Sequence, residues 1–277
     1  MSRRDTGWMA SVPRALTIAG SDSGAGAGIQ ADLKAFARSG VYGTSVVTAV
    51  TAQNTTGVLA VHQVPVDIVR AQLEAVLGDI GADAVKIGML GEAETVRCVA
   101  SCLHDLLDPD VPLVIDPVLA ASTGTVLLER DAIGGLIELF ARARVLTPNV
   151  PEARALLAAA GAAVPSSDSD LARAMLGLGS EAVVLTGGHR DTPGDIYCDA
   201  NQLIELPGTH HPAGATHGSG CTHSALLAAE LAKGQTTLQA AQTAARLTAD
   251  AIAQGLALGR GTGPVDVLGL AEPAETR

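Results

Sequence analysis

Short apolar runs rich in β-branched residues alternate along the chain with longer stretches in which Ala and Leu recur at helical spacing. The strand-like runs fall at residues 15–19, 45–50, 84–87, 113–115, 145–147 and 182–186. Residues 29–39, 66–77, 92–106, 224–232 and 238–256 carry the period of amphipathic helices, and 158–169 reads as a surface loop. Strands alternating with helices predict an α/β protein whose mainly parallel sheet is covered on both faces. Ligands of such sheets bind beyond the carboxyl ends of the strands, so the residues that follow each strand are the candidates for chemistry.

Those positions are polar or rich in glycine. Gly20-Ser-Asp-Ser-Gly-Ala-Gly-Ala-Gly28 follows the first run, Gln53-Asn54 the second, Gly88-Met89 the third and Asp116-Pro117 the fourth. Thr147-Pro148-Asn149 and Gly187-Gly188-His189 follow the last two. Glycines at 20, 24, 26 and 28 do not make a dinucleotide fingerprint, and no Walker lysine follows them. The stretch is a tight strand-to-helix turn flanked by Asp22 and Asp32, carboxylates of the kind that bond a ligand's hydroxyl or ring nitrogen.

Thr216-His-Gly-Ser-Gly-Cys-Thr222 runs into the Ala/Leu helix at 224–232. Glycines at 218 and 220 let consecutive N–H groups converge on one point, where the helix dipole adds positive potential. This is an anion hole, and a thiol at a helix start has its thiolate favoured, so Cys221 is placed to act as a base toward a substrate hydroxyl. The competing reading is a glycine breaker followed by a small buried cysteine. For Asn149 the competing reading is a helix cap after Pro148.

Composition narrows the partners. A net charge of -11 speaks against nucleic acid or an anionic membrane surface, and 2% aromatic residues speak against stacking platforms. Cys98, Cys102, Cys198 and Cys221 lack the spacing of a zinc site or disulfide framework, which points to a reducing cytoplasm. No apolar stretch reaches the ~18 residues of a membrane span. Residues 1–12 read as a flexible tail and 13–272 as one domain.

Taken together, Ala19-Gly-Ser-Asp-Ser-Gly, Ala27-Gly-Ile-Gln-Ala-Asp-Leu-Lys34, Thr48-Ala-Val-Thr-Ala-Gln-Asn-Thr55, Lys86-Ile-Gly-Met-Leu90, Asp116-Pro-Val, Leu146-Thr-Pro-Asn-Val-Pro-Glu152 and Gly-Ser-Gly-Cys221 are highly specific. In order and spacing they resemble the hydroxymethylpyrimidine and phosphomethylpyrimidine kinases of thiamine biosynthesis, in the ribokinase superfamily. The resemblance implies a three-layer ribokinase-like fold, ATP and Mg2+ as cofactors, an aminopyrimidine alcohol or its phosphate as substrate, and a homodimer. It implies that Gln53 bonds the pyrimidine edge, that Asp32, Gly20, Ala27 and Val118 help seat the ring, and that Met89 lies against it. Asn149 and Glu152 would orient the magnesium–phosphate assembly through water, alongside Thr186 and Gly188. Cys221 would be the base, with the N–H groups of Gly218, Ser219, Gly220 and Cys221 stabilising the moving phosphoryl.

Two segments depart from the pattern. Ser122-Thr-Gly-Thr125 stands where many members have Lys-Ser-Gly-Asp, and Thr186-Gly-Gly-His189 where Lys-Gly-Gly-His is usual. The loss of two cations and a carboxylate predicts weaker ATP binding or a changed acceptor. Pyridoxal or pyridoxine as acceptor, and a non-catalytic pyrimidine-binding protein, are the alternatives.

Overall fold

The computed structural model describes residues 12–121, 124–187, 194–208 and 215–271, so nearly all of the expected tail at 1–12 lies outside the described residues. The strands are β1 (Arg14–Asp22), β2 (Tyr42–Asn54), β3 (Gly57–Gln63), β4 (Ala84–Ile87), β5 (Leu113–Ile115), β6 (Val145–Leu146), β7 (Ala182–Leu185), β8 (Gly194–Asp199) and β9 (Leu203–Pro207). They form one sheet in the order β3-β2-β1-β4-β5-β6-β7-β8-β9. From β2 to β7 every neighbouring pair is parallel, whereas β3, β8 and β9 are joined antiparallel.

The central strands are buried on both faces, which is why they are continuous apolar runs. Their side chains alternate between two helical layers. Leu16, Ile18, Val85, Ile87 and Ile115 pack against α2 (Val66–Ala75), α3 (Ala93–Leu106), α4 (Ala132–Leu139), α5 (Val150–Ala159) and α6 (Asp168–Leu176). Ala15, Ala84 and Val114 face the other layer, formed by α1 (Gly28–Arg38), α7 (Ser219–Ala232) and α8 (Thr237–Ala253). That layer is alanine-rich, with Ala225, Ala228, Ala229, Ala240, Ala241 and Ala244 all buried, so its helices approach the sheet closely.

The predicted parallel strands are all present, and the predicted helices match α1, α2, α3, α7 and α8 to within a few residues, with one exception that matters. Helix α7 begins at Ser219 rather than at residue 224, because Gly218 adopts the left-handed N-cap (φ 78°) and starts the helix inside the glycine motif. Strand β3 has no alternation to betray it, since residues 59–62 are all exposed. The chain leaves β1 toward β2 on one side and returns through β3 and α2 to β4 on the other. The strand order therefore reverses at β1, and a crevice opens at its carboxyl end.

Candidate active site

A cavity of about 550 Å³ opens at the carboxyl ends of β1, β2 and β4 to β7 and is closed on one side by the start of α7. Gly20, Ala27, Gln53, Met89, Val118, Asn149, Glu152, Thr186, Gly218, Ser219, Gly220 and Cys221 all line it, so it brings together residues spread over six strand ends. Gly188 lies outside the described residues.

The loop after β1 is built around one carboxylate. Asp22 accepts from the backbone N–H groups of Gly24 (2.8 Å), Gly26 (3.0 Å) and Ala27 (2.8 Å), and its Oδ2 lies 3.1 Å from Nε2 of His217. Burial works against its charge, but His217 and the N–H groups of Ala27 and Gly24 hold the carboxyl below its usual range. Asp22 thus organises backbone as well as lining the cavity. The turn packs on the anion hole so tightly that a Cβ at Gly218 would collide with the carbonyl oxygen of Gly26. Gly20 packs directly against the thioether of Met89 at the cavity wall, so that a Cβ on Gly20 would sit 3.0 Å from Sδ. Gln53 borders the cavity from the end of β2, its Oε1 accepting from Thr51 Oγ1 at 3.3 Å.

Asp32 is placed differently from the sequence expectation. It is fully buried on α1 and does not line the cavity; its carboxylate accepts from Thr17 Oγ1 (2.6 Å) and from Nζ of Lys86 (3.1 and 3.0 Å). The period of two along the strands explains this. Thr17 is in phase with Ala15 and Lys86 with Ala84, so both point at the α1/α7 layer. Lys86 does reach the cavity, and Oδ2 of Asp116, which accepts from Ser224 of α7 at 3.1 Å, lies 4.0 Å from its ammonium. Burial alone would push the Lys86 ammonium down, yet Asp32, with Cys221 and Asp116 behind it, lifts it above its ordinary value. A lysine inside the apolar run Ala84-Val-Lys-Ile87 was the sequence signal for this group.

On the opposite wall, Asn149 caps α5. Its Oδ1 accepts from the N–H of Glu152 (2.9 Å) while Glu152 Oε2 accepts from the N–H of Asn149 (3.0 Å), so the capping reading holds for a pair that also lines the cavity. Burial, with the negative charge of Asp116, pushes the Glu152 carboxyl up to about 8. Close by, Thr147 lines the same space, and its buried hydroxyl has no hydrogen-bond partner among the described residues.

Cys221 sits in the first turn of α7, half-buried. Its thiol departs from the expectation of a favoured thiolate. Burial pushes it up to about 12, against the pull of Lys86 and of the Gly28 N–H, with Asp116 and Asp32 adding to the rise. Desolvation outweighs the helix terminus here because the thiol is enclosed by α1 and the sheet.

A glycine-cradled helix N-terminus, a thiol in its first turn and a carboxylate wall, gathered at the switch point of a three-layer α/β sheet, define a ribokinase-like small-molecule kinase. The chain belongs to the phosphomethylpyrimidine kinase family, whose model matches residues 22–266. It is 45% identical over 268 residues to the hydroxymethylpyrimidine/phosphomethylpyrimidine kinase of Haemophilus influenzae, covering 93% of this chain and 97% of that one. The crystal structure of phosphomethylpyrimidine kinase from Clostridium difficile superposes with a TM-score of 0.75 at 37% identity, over 87% of this chain and all (100%) of that one. The pyridoxal kinase of Staphylococcus aureus in complex with ADP gives a TM-score of 0.83 at 33% identity, over 93% and 94% of the two chains. Among the described residues no helix is long and apolar enough to cross a membrane.

Proposed function

We propose that this kinase transfers the γ-phosphoryl group of ATP to the hydroxymethyl oxygen of 4-amino-5-hydroxymethyl-2-methylpyrimidine, and then to the resulting monophosphate, in thiamine biosynthesis or salvage. The observation that carries the reading is that Cys221, in the first turn of α7, lines the same cavity as Gln53, Gly20 and Met89. A flat ring laid against the Gly20 and Met89 wall presents one edge to Gln53 and its hydroxymethyl group to the sulfur. The Cys221 thiolate takes the hydroxyl proton; the oxygen attacks the γ-phosphorus as the bond to ADP breaks, and ADP leaves. The N–H groups of Gly218, Gly220 and Cys221 stabilise the charge on the moving phosphoryl, while that of Ser219 is given to the Thr216 carbonyl (3.1 Å) and fixes the turn.

The carboxylate of Glu152 and the unpartnered hydroxyl of Thr147 fit a hydrated Mg2+ and phosphate oxygens. Glu152 would hold the ion, with Asn149, whose N–H donates to Glu152 Oε2 (3.0 Å), keeping that carboxylate in place and Thr186 also lining the cavity. When bound, Mg2+ neutralises phosphate charge. Residues 13–272 act as one domain, the protein works in the cytoplasm, and two copies associate. The exposed Leu59 and Val61 of edge strand β3 support that association.

Pyridoxal is the second reading, favoured by the TM-score of 0.83 to a pyridoxal kinase. Steady-state ADP release with Mg2+ and ATP, measured separately with hydroxymethylpyrimidine, its monophosphate and pyridoxal, tests both. Turnover of the two pyrimidines is expected. Turnover of pyridoxal alone moves the assignment, and none on any acceptor, in folded protein that binds them, leaves a non-catalytic pyrimidine-binding protein.

A further inference from the structure

A lysine with no exposed surface, in the middle of the central strand β4, is costly to the fold. Its pairing with Asp32 does not explain its presence, because buried ion pairs are commonly replaced by apolar side chains at no loss of stability. Its surroundings suggest another use. Behind the ammonium stands Asp32, itself fixed by the 2.6 Å hydrogen bond from Thr17; in front is the cavity that Cys221 also lines. Among the described residues that line this cavity, Lys86 is the one lysine or arginine.

The charged and titratable groups around Cys221 come from every neighbouring element. Lys86 projects from β4, Asp32 from α1, Asp116 from the end of β5 and Asp22 from the end of β1, while His217 and His223 flank the thiol on its own segment. Burial and the Asp116 and Asp32 carboxylates disfavour a thiolate, and the Lys86 ammonium favours it.

We propose that Lys86, anchored by Asp32, is a positioning residue for the kinase reaction: its ammonium, at the wall of the cavity that Cys221 also lines, makes the anionic sulfur that takes the substrate's proton easier to form. Lys86 keeps its own proton throughout. The thiol first loses its proton to solvent, and the substrate hydroxyl then supplies the proton that returns the sulfur to a thiol. The proposal rests on the reading of Cys221 as the base, but its test does not require turnover.

The test is the pH dependence of iodoacetamide alkylation at Cys221, followed by peptide mass in the protein without ligands; the other three cysteines are buried. In Lys86→Met, alkylation at a given pH should slow by about tenfold or more, one pKa unit or more upward. In Asp32→Asn, which removes an opposing charge and leaves the ammonium, it should quicken, and Lys86→Arg should restore most of the wild-type rate. Should Lys86→Met fail to fold because Asp32 is stranded, Lys86→Met with Asp32→Asn is compared with Asp32→Asn alone, and the double variant should be the slower. An unchanged pH profile in folded Lys86→Met, or equal acceleration in every variant from loosened packing, overturns the proposal. If Cys221→Ala keeps its turnover while Lys86→Met still shifts alkylation, the base assignment falls and the effect of Lys86 on the thiol stands.

Discussion

Nε2 of His217 lies 3.1 Å from Oδ2 of Asp22, a residue 195 positions earlier, and this contact clasps the substrate-side loop to the anion hole. Asp22 already accepts from three backbone N–H groups, so the carboxylate is the hub of the junction. Asp22→Ala leaves those donors without an acceptor, at a cost of about 1–3 kcal/mol for a group left unpaired. Denaturant unfolding should show a loss of at least that size, with a higher KM for the pyrimidine as the loop from Gly24 to Ala27 loosens. His217→Ala should lower stability less, because the backbone bonds to Asp22 remain.

Removing the thiol separates binding from chemistry. Cys221→Ala should lower kcat by roughly 10²–10⁴, the range for loss of a general base, while the binding of pyrimidine measured by calorimetry changes little. With a thiol held up to about 12, the wild-type kcat should rise steeply with pH between 6 and 9, and this rise should vanish in Cys221→Ala. A flat wild-type profile with intact kcat in the variant removes Cys221 from the base role.

Glu152 gives stability an opposite pH dependence. Its folded carboxyl, at about 8, binds a proton more tightly than in the unfolded chain, near 4.5. The stabilisation is therefore complete below the unfolded value, shrinks as pH rises between the two, and is gone above about 8. Unfolding free energy of the ligand-free protein should fall with pH across this window, by no more than about 1.4 kcal/mol per pH unit from this group. Glu152→Gln should flatten that part of the profile and, by removing the carboxylate, raise the Mg2+ concentration needed for half-maximal turnover.

The close packing of Gly20 on Met89 at the cavity wall predicts a selective defect. A methyl group on Gly20 would press on Sδ at 3.0 Å, so Gly20→Ala should raise the KM for hydroxymethylpyrimidine by about tenfold, a loss of about 1.4 kcal/mol, and leave the KM for ATP unchanged. Recovery in Gly20→Ala with Met89→Ala would show that displacement of the Met89 thioether is responsible. Equal changes for both substrates would point to a disturbed β1 instead.

Much was legible in the linear chain because its causes are local. Apolar runs such as Ala84-Val-Lys-Ile87 mark strands whatever they pack against, and the residues that follow each strand share one end of a parallel sheet, so Gln53, Met89 and Asn149 could be grouped before their contacts were known, whereas Cys221 was marked by its glycine motif and Glu152 and Thr186 by the family resemblance. Strands β3, β8 and β9 were not legible. The edge strands β3 and β9 take their conformation from the strand that pairs with them, and β8, although buried at Ile196, Tyr197 and Cys198, is joined antiparallel to β7 and so falls outside the rhythm of alternating strands and helices.

The sequence by itself determined the order of the parallel strands and of α1, α2, α3, α7 and α8, the glycine turns and the inventory of reactive groups, since these follow from side-chain period and backbone freedom. Tertiary structure alone decided what the groups do. The pleat of β1 and β4 turned Thr17 and Lys86 toward α1, which withdrew Asp32 from the cavity and put an ammonium at its wall. Enclosure by α1 and the sheet gave Cys221 a high proton affinity that its place at a helix start did not foretell. Desolvation and long-range charge depend on the whole packed environment, and neighbours in sequence do not encode them.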